Sequence, residues 1–244
     1  MAAVVRLDVE EKRFGSDAVL GRLSLHLPAG EFIALLGPSG AGKTTLLRML
    51  AGLDDDYRGD LVTEGEGTHR PGIGFLFQEA RLMPWLTALQ NLALVTGDGE
   101  RAAGALESVG LAEAADRYPH QLSGGMQRRI ALARAVVCAP RLLLLDEPFV
   151  SLDQPGAAAL RGQLLEHWRQ FQPTVVLVSH DLDEALELAD RIVFLGGRPA
   201  TVVHEESVAL ARPRNGRRDA LAELRRRLLD RHPGLLRGQV GEDR

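Results

Sequence analysis

The chain has 244 residues, 45% hydrophobic and 25% charged, the balance of a soluble globular protein with one large domain or one domain and a subdomain. A net charge of −4 leaves no excess of cations to neutralise a phosphate backbone, which excludes generic nucleic-acid binding. No apolar run reaches the length of about 18 residues that crosses a bilayer, and a single cysteine excludes an internal disulfide.

The first residues, Met1 to Asp8, lack the basic flank and long apolar core of a signal peptide, so a reducing cytoplasmic setting is expected. Leu7-Asp8-Val9-Glu10 and Leu23-Ser24-Leu25-His26-Leu27 alternate and predict edge or antiparallel strands. Pro28-Ala29-Gly30-Glu31 reads as a turn, and Phe32 to Leu36 as a short buried strand. A helix follows from Lys43 to Ala51, ended by Gly52 and the acidic Asp54-Asp55-Asp56. Gly59 to Gly72 is glycine-rich and weakly patterned, and Ile73 to Phe77 is another apolar strand.

From Thr87 to Val137 the pattern is helical, with apolar residues three and four apart in Glu100 to Val109 and in Gly124 to Val137. Cys138, at the end of that apolar run, reads as a small core residue. Apolar strands are predicted at Arg141 to Leu145, Thr174 to Val178 and Ile192 to Leu195, with helices near Ala157 to Gln170 and Leu182 to Leu188. Arg217 to Arg231 is an Arg-rich amphipathic helix carrying Leu221, Leu224, Leu228 and Leu229 on one side. Alternating strands and helices make the outer segments an α/β sheet with a mainly parallel core, and the helical middle an insertion into it.

Gly37-Pro38-Ser39-Gly40-Ala41-Gly42-Lys43-Thr44 follows an apolar strand and opens a helix, the context a phosphate-binding loop requires. Glycines let backbone N–H groups turn inward around phosphate oxygens, and the helix N-terminus adds its dipole. Lys43 is one of only two lysines among 29 cations; its compact ammonium can reach the β/γ-phosphates, and the Thr44 hydroxyl can ligate Mg²⁺. Asp146-Glu147 ends the strand after Leu145, where buried carboxylates need a cation, a donor or water. Asp146 suits Mg²⁺ as the partner of Thr44, and Glu147 suits a base that orients or deprotonates an attacking water.

Ser123 is a natural N-cap, with Gly124 and Gly125 leaving the first N–H groups of a basic helix uncovered. Remote from the phosphate loop in sequence, these donors suggest an anion site served in trans. His180 and Gln78 end the strands at Val178 and Phe77, the first able to face the cleft beside Glu147, the second able to touch metal or water without adding charge. The other histidines, His26, His69, His120, His167, His204 and His232, lack this context and read as solvated or structural.

In this order the motifs resemble the nucleotide-binding subunit of ATP-binding cassette (ABC) transporters, over the chain from its N-terminus to about residue 212. Gly37 to Thr44, with Thr45 beside it, is similar to the Walker A loop and Gln78 to the Q-loop. Leu122-Ser123-Gly124-Gly125 matches the signature motif, Leu142 to Asp146 with Glu147 the Walker B element, Ser151-Leu152-Asp153 the D-loop and His180 the switch histidine. Phe14 stands where the family places an aromatic ring against adenine, with an ordinary core ring as the alternative.

The resemblance implies a RecA-like P-loop NTPase core with a mainly parallel sheet, an N-terminal antiparallel β subdomain and an inserted helical subdomain. It places the ATPase domain at 1–215, the insertion at about 86–139 and an amphipathic helical tail at 216–244. It also implies ATP and Mg²⁺, a second cassette bound head to tail, and integral membrane permease subunits with an extracytoplasmic solute-binding protein behind them. In the closed pair each ATP lies between Gly37 to Thr44 of one copy and Ser123 to Gly125 of the other, with Asp153 near the nucleotide. Such a subunit sits peripherally on the cytoplasmic face of the inner membrane.

Gln78-Glu79-Ala80-Arg81-Leu82-Met83-Pro84-Trp85-Leu86-Thr87 looks like importers of the nitrate, taurine and aliphatic sulfonate group, with thiamine-precursor importers as the alternative. Met83-Pro84-Trp85 reads either as a permease docking groove or as packing of the helical insertion. Met126 departs from the Gln that usually continues the signature. Soluble DNA-repair cassettes place a long coiled coil or zinc module between Gln78 and Leu122, where this chain has a short helical segment. A cassette that binds ATP without cleaving it would lack the base or the switch residue, and Glu147 and His180 are both present.

Overall fold

A computed structural model of the chain describes residues 4–64, 72–150, 152–214 and 216–239. Four strands form an antiparallel sheet: β1 (Val4–Phe14), β2 (Asp17–Leu20), β3 (Leu23–Leu27) and, after the next strand and helix, β5 (Arg58–Glu64). β1 is its spine, paired with β3 and β5 along Val4 to Val9 and with β2 at Lys12 to Phe14. Its buried Val5, Leu7 and Val9 face inward, as period-2 alternation requires.

The second sheet contains β4 (Phe32–Leu36), β6 (Ile73–Leu76), β7 (Leu142–Asp146), β8 (Thr174–Val178), β9 (Arg191–Gly196) and β10 (Thr201–Ser207), in the order β10-β9-β4-β8-β7-β6. All pairings are parallel except β10 with β9. β4, β7 and β8 are buried at every position, which explains why they are apolar apart from Thr174 at the start of β8 and Asp146 at the end of β7: both faces are covered. Ile33, Leu35, Leu142, Leu144, Val176 and Val178 pack towards the antiparallel sheet and helix α1 (Lys43–Leu50). Ala34, Leu36, Leu143, Leu145, Val175 and Leu177 pack towards α5 (Gln154–Phe171), α6 (Leu182–Leu188) and α7 (Arg218–Arg231).

Between β6 and β7 lie α2 (Ala88–Thr96), α3 (Gly99–Ser108) and α4 (Gly124–Val136). They share a separate apolar cluster, including Leu92, Leu106, Leu111, Leu122 and Ile130. α2 starts on a reciprocal Thr87/Gln90 capping box, and α3 on the Asp98 carboxylate. The leucines expected on one side of the tail helix do meet the main core: Leu228 is buried, and Leu221, Leu224 and Leu229 pack against it.

Three local expectations change. The weakly patterned stretch begins as the regular strand β5, which its glycine masked: Gly59, at φ 139°, lies so close to β1 that an added Cβ would sit 2.1 Å from the Asp8 carbonyl. The rest of that stretch, 65–71, lies outside the described residues, and His69 with it. β2 and β10 are strands that the sequence does not announce, because both are edge strands with few fully buried positions. Cys138 is exposed rather than part of a core, since α4 ends at Val136 and the chain turns outward.

Candidate nucleotide site

The parallel strands β4, β6, β7 and β8 deliver their C-terminal ends to one edge of the sheet, where α/β folds bind ligands. After β4 the chain makes the Gly37 to Gly42 turn and enters α1. Gly42 caps α1 at φ 74°, and a Cβ there would lie 2.5 Å from Leu20 Cδ2; one on Gly37 would lie 2.6 Å from the Leu195 carbonyl. The loop is therefore shaped by glycine at both ends. Lys43 is buried, and its Nζ donates to the carbonyls of Gly37 at 2.7 Å and Pro38 at 2.9 Å. Burial lowers its pKa, while the nearby Glu147 and Asp146 carboxylates act in the opposite direction. An ammonium held this way can exchange loop carbonyls for phosphate oxygens without moving far.

The Thr44 hydroxyl lies one residue on and donates to Asp146 Oδ1 at 3.1 Å. Asp146 is buried at the end of β7, and burial raises its pKa; the Thr44 bond lowers it, Glu147 raises it, and Arg128 and Lys43 lower it. Glu147 then leaves the strand with φ 45°, a left-handed conformation costing about 1–2 kcal/mol outside glycine. Its N–H bonds the Val178 carbonyl of β8 at 3.0 Å, and its Oε2 lies 3.5 Å from Nδ1 of the exposed His180. The strained turn aims the carboxylate into the cleft instead of along the strand. The cleft measures 470 Å³ and is walled by Ser39 to Thr45, Gln78, Glu147 and Val19.

A divalent cation fits this chemistry. The Thr44 hydroxyl and buried Asp146 carboxylate form a hard-oxygen pair whose negative charge desolvation penalises. Among the described residues, no group of three or more His, Cys, Asp or Glu could hold a metal ion, so phosphate oxygens and water would supply the remaining ligands, the usual situation for Mg²⁺.

The structure thus brings together Lys43, Thr44, Thr45, Gln78, Asp146, Glu147 and His180. It does not bring Ser123, Gly124 or Gly125 to the walls of the cleft. Ser123 caps α4, its Oγ accepting from Met126 N at 3.2 Å, and is exposed with Gly124. Gly124 instead borders a neighbouring 500 Å³ recess with Gln78, Arg128 and Leu152. Asp153 is exposed, and its carboxylate accepts from Gly156 N to cap α5; Ser151 lies outside the described residues. Phe14 is 54% exposed, at the end of β1, away from the cleft walls, with Lys12 Nζ 4.6 Å from its ring centre. A larger cleft of 560 Å³, between α3, α4 and α5, has mostly apolar walls and no part of the phosphate loop.

Two cations that sequence reading passes over matter here. Lys12 is fully buried, bonded to Asp54 Oδ1 at 2.7 Å and to the Asp56 carbonyl at 2.6 Å, which ties the Phe14 strand to the end of α1. Arg128, on α4, is buried against the ends of β6 and β7. The signal was available: a lysine is otherwise almost absent from the chain, and Arg128 sits one turn after the signature glycines.

A family model described as ABC transporter matches residues 20–150. The chain belongs to this family, as an ATP-binding, ATP-hydrolysing cassette. It is 43% identical over 233 residues to the protein named aliphatic sulfonates import ATP-binding protein SsuB 1 of Pseudomonas syringae pv. syringae (strain B728a), spanning 93% of this chain and 95% of that one. It is 44% identical over 236 residues to the protein of the same name from Pseudomonas aeruginosa (strain UCBPP-PA14), spanning 92% and 95%. Among solved structures it resembles the dimeric cassette MJ0796 in a post-hydrolysis state with ADP and Pi, at TM-score 0.73 and 30% identity over 85% of this chain and all of that one. Among the described residues, no helix is long and apolar enough to cross a membrane.

Proposed function

We propose that the chain energises uptake of a small sulfonate-type solute by hydrolysing MgATP in a head-to-tail pair of cassettes bound to a membrane permease. The observation that carries the hydrolytic part is Glu147: a strained residue whose carboxylate walls the phosphate cleft and faces His180 at 3.5 Å. In this reading Lys43 and the loop N–H groups from Gly37, Ser39, Gly40, Ala41 and Gly42 hold the phosphates, with Pro38, which has no N–H, shaping the turn and Thr44 and Thr45 at the helix start. Thr44 and Asp146 would hold Mg²⁺, with Gln78 reaching it or its water, and the ion would supply charge stabilisation at the γ-phosphate. Glu147 orients and deprotonates the attacking water, and His180 steadies Glu147 and the γ-phosphate oxygens. Phe14, with Lys12 on its ring, stacks on adenine.

The second half of each site comes from the partner copy. Exposed Gly124 and half-buried Gly125 start a helix whose cap, Ser123, takes only the Met126 N–H, and neither lines its own phosphate cleft, which supports service in trans. Asp153 would sit at the same seam as the D-loop. Dimerisation in MJ0796 agrees with this arrangement. ATP drives closure through contacts it makes only when both halves meet, and product release reopens the pair.

A permease contact is supported by the segment Met83 to Thr87. Trp85 is 70% exposed, and Leu94 and Val95 of α2 are exposed as well. Buried Asn91 holds this segment: its Oδ1 accepts from Met83 N at 2.7 Å, and its Nδ2 donates to the carbonyls of Met83, Leu86 and Thr87. A rigid, uncovered aromatic loop suits a helix supplied by an integral membrane partner. The chain would then lie on the cytoplasmic face of the inner membrane, with an extracytoplasmic solute-binding protein acting through the permease. No nucleic acid enters this reading.

For the domain plan, we place the ATPase domain at 1–215, with the helical insertion at about 86–139 and the tail at 216–244. The insertion has its own apolar cluster, while the tail leucines join the main one, making the tail an appendage of the same core. The solute follows from the two Pseudomonas relatives and their near full-length match. Reconstituted with its permease and binding protein, the complex should raise its ATPase rate with alkanesulfonates. Stimulation by nitrate, taurine or a thiamine precursor with none by alkanesulfonates would overturn the solute. Loss of turnover in Glu147→Gln tests the base independently.

A further inference from the structure

The ladder between β6 and β7 ends at the rung Leu76 to Leu145. The carbonyls just beyond it, on the segments that carry Gln78, Asp146 and Glu147, need other donors. One side chain supplies them. Arg128 Nε donates to the Pro148 carbonyl at 2.8 Å; one terminal nitrogen donates to Phe77 at 2.6 Å and Gln78 at 2.5 Å; the other donates to Asp146 at 3.3 Å and Glu147 at 2.5 Å. All five N–H donors of the guanidinium meet backbone carbonyls, so its position is fixed by both strand ends at once.

Arg128 lies five residues after Ser123 on the same helix, about 7.5 Å along its axis. A second arginine of α4 plays a narrower part: Arg134 donates to the carbonyls of Ala80 and Arg81 at 2.9 Å each and reaches neither β7 nor Glu147. Arg128 alone of the two touches Gln78, Asp146 and Glu147 together. It also clamps the carbonyl of the one residue in the site that holds a strained left-handed backbone.

We propose that Arg128 is a positioning residue that couples each cassette's own phosphate cleft to the signature helix it offers its twin. Contacts of a nucleotide with Gln78, Asp146 or Glu147 shift the carbonyls that Arg128 grips, and α4 follows as a rigid rod. The half-site lent to the partner is thereby set by the occupancy of the lender's own site. This rests on the head-to-tail reading above, but it can fail while that reading stands.

Arg128→Gln and Arg128→Lys test it in the full-length chain. With the five-point clamp gone, kcat for ATP should fall about 10²-fold in Arg128→Gln, the loss typical of a slightly displaced catalytic group, while nucleotide affinity of the monomer changes less than threefold. Arg128→Lys keeps the charge without the fork and should fall between it and wild type. A purely structural role would instead lower kcat and affinity together with the melting temperature. Wild-type kcat in a folded Arg128→Gln would overturn the proposal.

A measurement on the unsubstituted chain covers the case in which both variants fail to fold. Below the concentration at which it dimerises, a non-hydrolysable ATP analogue with Mg²⁺ should change hydrogen exchange at the Gly125 and Met126 amides. Unchanged exchange there would overturn the coupling, whatever the outcome for Glu147→Gln.

Discussion

The phosphate-loop cleft and the signature turn are both built at helix N-termini, yet they are opposites. In the first, buried Lys43 and Asp146 both have pKa values moved by desolvation, and Glu147 is held in a strained backbone. In the second, Ser123 and Gly124 are exposed and neutral, and the single capping bond runs from Met126 N to Ser123 Oγ. Desolvated charge and strain mark the place where a reaction is carried out; an exposed, relaxed turn marks a surface waiting for a ligand brought by something else. On the head-to-tail reading proposed above, one chain carries two unlike halves of a site and completes neither alone.

The largest effect should come from the charged half. Glu147→Gln keeps shape and loses the base, so ATPase turnover should fall about 10³-fold or more, with an ATP-bound dimer accumulating on size-exclusion chromatography. Substantial turnover in that variant would remove Glu147 from its role. Ser123→Arg attacks the other half: turnover of the assembled complex should fall about 10²-fold, as when a transition-state donor is lost. Binding of a fluorescent ATP analogue to the dilute chain should change less than threefold. If both fall together, the turn serves its own cleft and the contrast dissolves.

Trp85→Ala sharpens the comparison from outside both halves. It should leave ATP binding by the isolated chain intact and weaken permease binding by about 2 kcal/mol, roughly 30-fold, measurable by co-purification or biolayer interferometry.

The smallest effect is on stability. Asp146→Asn retains a partner for Thr44 and relieves the burial of a carboxylate, so the nucleotide-free melting temperature should rise by about 2–4 °C for each kcal/mol regained. Because burial raises the pKa of Asp146 in the folded chain, its favourable contribution is complete below the unfolded value of 3.8 and is lost as pH rises through the folded value. The advantage of Asn should therefore grow from acid towards neutral pH, while Mg²⁺-dependent ATP binding is lost.

The charged half was legible in the sequence because its chemistry is local. Glycine spacing, one lysine and an Asp-Glu pair after four leucines specify their own geometry, and the structure assembles them with Gln78 and His180 at neighbouring strand ends. The buried strands β4, β7 and β8 were equally plain, since two covered faces leave apolar residues everywhere but at Thr174 and Asp146 on strand ends. What stayed hidden depends on distant partners. Arg128 looks like any surface arginine of a basic helix until β6 and β7 end beneath it, and Lys12 until Asp54 folds over it. Edge strands β2 and β10 lack a full apolar face, and exposed Cys138 lies two residues beyond the end of α4, outside the helical run that the apolar sequence suggests.

The most direct test of two half-sites is complementation between two strongly impaired chains, Lys43→Ala and Ser123→Arg. In a head-to-tail mixed dimer, both lesions fall in one site and leave the other intact. Mixing the purified chains should therefore restore ATPase activity well above either parent. A mixture as impaired as its parents, with mixed dimers shown to form, would contradict service in trans.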